Sequence, residues 1–150
     1  MIYIIIIVLG LILDRLTKTF AISNFIENPY KGTLFNFTYL ENRGAAFGIL
    51  QDRRIFFIIL TLAIVCALVY YFLKNYRTNH KILNIALSMI ISGAIGNFYD
   101  RLFHGYVVDF IEFAFVNFPV FNVADIFVTV GSILLIIYMI FFEESEKVWV

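Results

Sequence analysis

Four long apolar stretches divide the chain, at residues 2–20, 55–73, 82–98 and 119–142. Each approaches the length of about twenty mostly apolar residues that a helix needs to cross a bilayer. The second, IFFIILTLAIVCALVYYFL, contains no charge. The first has the position of a signal peptide but lacks a basic n-region and an A-x-A cleavage site, and Asp14 and Lys18 interrupt its far end. It reads as a retained helix. In the third, Ser92 and Gly96 have the small-xxx-small spacing that lets helix backbones approach closely. Between the first two stretches, GTLFNFTYL (32–40) alternates, with Phe35, Phe37 and Tyr39 on one face and Asn36 and Thr38 on the other. That alternation predicts a small sheet at the membrane surface. The connection 101–118 is rich in Phe and Tyr, as expected of a segment in the aromatic interfacial belt. The predicted architecture is an all-α integral membrane protein of one domain, residues 1–150, with four transmembrane helices and this small β-sheet.

Composition agrees with the pattern. Of 150 residues, 62% are hydrophobic, and a mean hydropathy of +0.91 lies far above the roughly half-apolar make-up of soluble domains. Eleven basic and eleven acidic side chains cancel, and there is no basic block, so neither nucleic acid nor a polybasic lipid-surface role is indicated. The charges do not orient the chain either, because Lys31, Arg43, Arg53 and Arg54 offset Lys74, Arg77 and Lys81 on the opposite side. The single cysteine, Cys66, has no internal partner and reads as a small hydrophobe within its span.

Parity sharpens the picture. Four crossings bring the end of the first helix, the start of the second, the end of the third and the start of the fourth to one membrane face. The polar residues of interest sit at those ends: Asp14 and Lys18, then Asn97, Asp100 and Arg101, then Asn122 and Asp125. Asp109 follows in a loop on that side, and Asn42, Arg43 and Gly44 belong to the long loop there. Ionisable groups at membrane depth are functional candidates by default. Asp14 has Lys18 at i+4, an ion-pair spacing. Asp100 precedes Arg101, but adjacent helical side chains diverge, so its pairing runs through other neighbours. Asp109 and Asp125 have no cation nearby in sequence beyond the weakly basic His104.

Two carboxylates close together in a low-dielectric site cannot both ionise readily, so the pair holds a shared proton. The ionised member can then deprotonate a water while the protonated one donates to a carbonyl oxygen, as in an aspartic protease. On the residues alone, structural and transport roles stay open beside that reading, including a small carrier or accessory subunit using Asp14, Asp100, Asp109 and Asp125 as a proton path. Other protease chemistries lack their parts. There is no H-E-x-x-H motif, His80 and His104 fall in loops on opposite sides, and no span holds a histidine to pair with a serine. Tyr99-Asp100 lacks the companion GxGD of presenilin-like proteases.

Five motifs resemble those of the lipoprotein signal peptidases, or signal peptidase II, in order and approximate spacing: DRLTK from Asp14, ENRGAAFGIL from Glu41, GNFYDR from Gly96, VVDF from Val107 and FNVAD from Phe121. The resemblance implies a bacterial four-helix inner-membrane aspartic endopeptidase, with both termini cytoplasmic, the sheet extracytoplasmic and the active site near the outer leaflet. Its substrate would be a diacylglyceryl-modified prolipoprotein, cut just before the lipidated cysteine, with the acyl chains in membrane lipid. Asp109 and Asp125 match the catalytic dyad. Asn42, Gly44, Asn97, Arg101 and Asn122 match positions that bind substrate or support the dyad, whereas Asp14, Lys18 and Asp100 look structural. No metal or organic cofactor is implied, and a monomer is expected. The chain departs from the pattern at Ile126, where a small residue is common, and in the Phe-rich run after Asp109. The strand at 32–40 and the loop at 42–48 are expected to close over the peptide from the aqueous side.

Overall fold

A computed structural model describes residues 1–45 and 49–142. Ala46, Phe47 and Gly48, the end of the loop expected to close over a peptide, lie outside the described residues. In chain order the elements are helix α1 (Ile2–Phe25), strands β1 (Tyr30–Lys31) and β2 (Phe35–Asn42), helices α2 (Arg54–Asn75) and α3 (Lys81–Phe103), strand β3 (Val107–Phe113) and helix α4 (Val123–Phe141). Among the described residues, α2, α3 and α4 are long and apolar enough to cross a membrane. Helix α1 has the length, 24 residues, but carries Asp14, Arg15 and Lys18. Asp14 and Lys18 are turned inward and buried, while Ile4, Leu9, Leu13 and Leu16 are exposed.

Helix α3 is the centre of the bundle. Half of its apolar stretch is buried, against 6% in α2, and most of its buried positions are small or polar, among them Asn84, Ala86, Ser88, Ser92, Gly93 and Gly96. Where neighbouring lipid is as apolar as leucine, close backbone approach and hydrogen bonds hold helices together. Ser92 Oγ donates to the Ile7 carbonyl at 3.0 Å, so the small-xxx-small face meets α1. A Cβ on Gly96 would lie 2.7 Å from Asp14 Oδ2, and one on Gly93 would strike the Ala124 carbonyl of α4. Along α3 from Leu83 to Ile91, the side chains Phe72, Leu83, Leu87, Ile91 and Tyr138 form an apolar core.

The sheet differs in detail from its sequence expectation. The strand predicted at 32–40 runs from Phe35 to Asn42, pairs with β1 on one side and β3 on the other, and is irregular between Phe37 and Leu40. The connection after α3, expected as an interfacial loop, contains β3. Its first four residues, Val107 to Phe110, are all buried, so the segment shows no polar alternation to mark it as a strand. Helix α3 continues to Phe103, past the expected end at Phe98, and α4 begins at Val123 rather than at residue 119. The intervening residues serve the sheet instead, because Phe121 N donates to Ile111 O at 2.9 Å and Phe121 O accepts from Phe110 N and Ile111 N. That pairing covers the outer edge of β3 and delivers Asn122 to Asp109, near the start of β3.

The Gly93 contact yields a test of packing. Gly93→Ala should force α3 away from α4 and cost about 1 to 3 kcal/mol by overpacking, seen as a lower thermal midpoint in detergent. Ile59→Ala on the lipid-facing side of α2 should change the midpoint little. Equal midpoints for the two variants would contradict this account of the bundle.

Candidate active site

At the Phe103 end of α3, polar side chains from α1, β2, α3, β3 and the start of α4 converge. Asn42 lies opposite Val107 in the β2–β3 ladder, which puts it diagonal to Asp109 on the same strand face. Asn42 Nδ2 donates to Asp109 Oδ2 at 2.8 Å. Asp125 occupies the first turn of α4, where Asn122 is the N-cap and the two form a capping box. Asp125 Oδ2 accepts from the Asn122 backbone N–H at 3.1 Å, and Asn122 Oδ1 accepts from Asp125 N at 3.0 Å. The amide of the same asparagine donates to Asp109 Oδ1 at 2.6 Å. A single N-cap residue therefore ties both aspartates together.

Asn97, on α3, completes the ring. Its Nδ2 donates to Asp125 Oδ1 at 2.7 Å, and its Oδ1 accepts from Asn122 Nδ2 at 3.2 Å and from Lys18 Nζ at 2.9 Å. The three asparagines share one logic. Each carboxamide oxygen faces a group that can only donate: the Lys18 ammonium for Asn97, the Gly44 N–H for Asn42 and the Asp125 N–H for Asn122. The NH₂ of each is therefore directed at a carboxylate. Both oxygens of Asp109 accept from side-chain amides, whereas Asp125 accepts from the Asn97 side chain at Oδ1 and from the Asn122 backbone N–H at Oδ2.

Asp109 is 1% exposed. Burial, and then the nearby Asp125 carboxylate, push its pKa up to about 7 despite the hydrogen bonds from Asn42 and Asn122. The pair thus keeps a proton into the neutral range. Arg101, one turn after Asn97, lies with its guanidinium 5.0 Å from the Phe57 ring centroid, and its Nη2 donates to the Gly44 carbonyl at 3.0 Å. Gly44 is buried there. Asn42, Asn97, Arg101, Asp109 and Asp125 line a cavity of about 420 Å³ whose other wall, from Phe118 to Val130, is largely apolar. A second cavity of about 450 Å³ shares Asn42, Ala45 and the Phe118 to Val120 edge, and carries Glu41, Gln51, Glu112 and Asn117.

The remaining polar candidates stand just behind this ring. Lys18 Nζ lies 3.0 Å from Asp14 Oδ2 and 2.8 Å from Asp100 Oδ2. The i,i+4 pair is thus present, and Asp100 pairs with α1 while its neighbour Arg101 turns to the cavity. Arg15, whose partner Asp100 lies 85 positions away at 2.7 Å, was not distinguished by the sequence, since no local spacing marks it. The N-x-x-D capping signal at Asn122 was readable in the sequence but went unused. His80 and His104 cap opposite ends of α3, as the sequence required.

Comparison with known proteins identifies the family. Residues 6–141 match the family model described as signal peptidase (SPase) II. A lipoprotein signal peptidase from Clostridium tetani is 51% identical over 143 residues, covering 91% of each chain. One from Clostridioides difficile is 42% identical over 98% of this chain and all of its own length. A bacterial membrane enzyme solved by the in meso method at 2.3 Å resolution superposes with a TM-score of 0.84 at 39% identity, covering 92% of this chain and 87% of its own. The matched span contains all of the polar residues described above, and the chain belongs to the signal peptidase II family.

Proposed function

We propose that this chain removes signal peptides from diacylglyceryl-modified prolipoproteins, cutting just before the lipidated cysteine, with Asp109 and Asp125 as an aspartic dyad. The observation that carries the reading is the buried, asparagine-bridged pair of carboxylates on the wall of an apolar cavity. Below pH about 7 the pair retains a proton, which Asp109 holds. Asp125, ionised, takes a proton from water as the oxygen attacks the scissile carbonyl, and Asp109 gives its proton to the carbonyl oxygen. The product is a neutral gem-diol. Its collapse breaks the C–N bond as Asp125 passes its proton to the leaving nitrogen and Asp109 recovers one from a diol hydroxyl, and no acyl-enzyme forms. No metal or organic cofactor takes part.

In this reading α1 also spans the membrane, giving four crossings of a single peptidase domain in the bacterial inner membrane, with both termini cytoplasmic and the dyad near the outer leaflet. The monomer is the working unit. The signal helix lies against the apolar wall with its acyl chains in lipid, and the residues after the cut leave through the second cavity. Arg101 holds the Gly44 carbonyl, and with it the turn that presents Asn42. Asn42, Asn97 and Asn122 fix the carboxylates before substrate arrives, which is the preorganisation a positioned acid–base pair needs. A proton path through the bilayer would distribute its carboxylates along the spans. The gathering of Asp14, Asp100, Asp109 and Asp125 at one end of α3 favours the peptidase.

Purified protein should shift a diacylglyceryl-modified precursor to the mature size on a gel and leave the unlipidated precursor intact. Asp109→Asn and Asp125→Asn should each reduce cleavage by at least about a thousandfold, since each removes one of the two proton-transfer roles. Near wild-type processing by either variant would refute the dyad, and loss of wild-type activity in EDTA with recovery on adding zinc would replace it with metal chemistry.

The pH dependence has a definite sign. A carboxyl whose folded pKa is raised to about 7 is protonated below that value and loses its proton above it. With a fixed lipidated substrate, kcat/KM should therefore decline as pH rises through about 7. A profile that stays flat from pH 6 to 9 would contradict this assignment.

A further inference from the structure

Lys18 is fully buried, and its ammonium has three N–H donors and three acceptors: Asp14 Oδ2 at 3.0 Å, Asp100 Oδ2 at 2.8 Å and Asn97 Oδ1 at 2.9 Å. A pure charge anchor would need no more than this. Each acceptor, however, has a second bond that leads to the dyad. Asp14 Oδ1 accepts from the backbone N–H of Ala124 at 3.1 Å, the residue just before Asp125. Asp100 Oδ2 accepts from the backbone N–H of Val108 at 3.4 Å, the residue just before Asp109. Asn97 Nδ2 donates to Asp125 Oδ1 at 2.7 Å.

We propose that Lys18 is a positioning residue for the reaction: through Asp14, Asp100 and Asn97 it fixes the backbone and side-chain placement of both dyad aspartates. The inference rests on the dyad reading above. Helix α1 supplies no group to the cavity lining, so its route to catalysis is this three-armed connection. The arms act on different atoms. Two locate the peptide units that carry the aspartates, and the third sets which end of the Asn97 carboxamide faces Asp125. Without Lys18, Asp100 keeps Arg15, Asp14 loses its cation, and Asn97 can present oxygen to a carboxylate.

The test uses full-length protein in detergent with a diacylglyceryl-modified precursor. Two variants are compared, Lys18→Met and the charge-balanced double variant Lys18→Met with Asp14→Asn. In the latter a side-chain oxygen remains to accept from Ala124 N–H. Both should lose about a hundredfold or more in kcat, the scale expected for a small misplacement of reacting groups, with KM within about threefold of wild type. A misfolded fraction would also lower kcat, so the deciding readout is the pH profile, which does not depend on how much protein is active. The groups facing the pair are Lys18 from α1, Asn97, Asp100 and Arg101 from α3, Asn42 from β2 and Asn122 from α4. Loss of the Lys18 charge and of the oriented Asn97 donor both disfavour the ionised pair. The alkaline limb should therefore move to higher pH in both variants, further in the single one.

A loss of kcat with the limb unmoved would make Lys18 merely structural, as would failure of both variants to fold. A kcat within about threefold of wild type would overturn the proposal outright. Activity surviving in Asp109→Asn or Asp125→Asn would instead sink the dyad reading on which it stands.

Discussion

An ammonium group enclosed in a helical bundle must recover from its neighbours what it loses in water. Lys18 recovers it from two carboxylates and one amide, and the rest of the site follows from where those three acceptors have to be. Asp14 is one turn earlier on the same helix, so α1 provides one partner locally. Asp100 and Asn97 come from α3, which forces the two helices into register and close approach. Gly96 permits that approach, because any Cβ there would press on Asp14. Small residues, polar residues and the helix crossing are thus parts of one requirement. No buried side-chain nitrogen or oxygen among the described residues lacks a hydrogen-bond partner, which is the condition for keeping such a cluster at membrane depth.

The sheet has the complementary task. A helical bundle can bring side chains together at one level, but it has no means of covering them at its end. Strands β2 and β3 form that cover, with Asp109 and Asn42 facing the bundle. The Phe121 bridge ties the cover to the start of α4. Asn122, as an N-cap, must direct its oxygen to the first turn of its helix, and this leaves its NH₂ for Asp109. An ordinary helix-starting residue thereby links sheet and bundle at the two carboxylates.

Much of this was legible in the sequence, for physical reasons that also explain what was not. Long apolar runs declared the four helices, and the lack of a basic neighbour set Asp109 and Asp125 apart from Asp14 and Asp100. The i,i+4 spacing predicted the Asp14–Lys18 pair because helix geometry alone determines it. Strand β3 escaped notice because burial on both faces erases alternation. The end of α3 was set too early because Asp100 and Arg101 interrupt an apolar run without interrupting a helix. The pairing of Asp100 with Arg15 and Lys18 joins residues some 80 positions apart, and no local rule reaches that far.

The bond between Asp14 and the Ala124 N–H joins residues 110 positions apart in the chain. As the polypeptide is synthesised, α1 forms with Lys18 one turn from Asp14 and able to pair with it, but the second oxygen of Asp14 lacks its Ala124 N–H donor until the start of α4 arrives. Asp109 likewise waits for Asn122. The last helix to be made therefore completes the hydrogen bonding of the first, and in the same step brings the second carboxylate to the site. A chain halted before α4 would hold neither a satisfied interior nor the paired carboxylates, so the proposed dyad is assembled only when the last helix is in place.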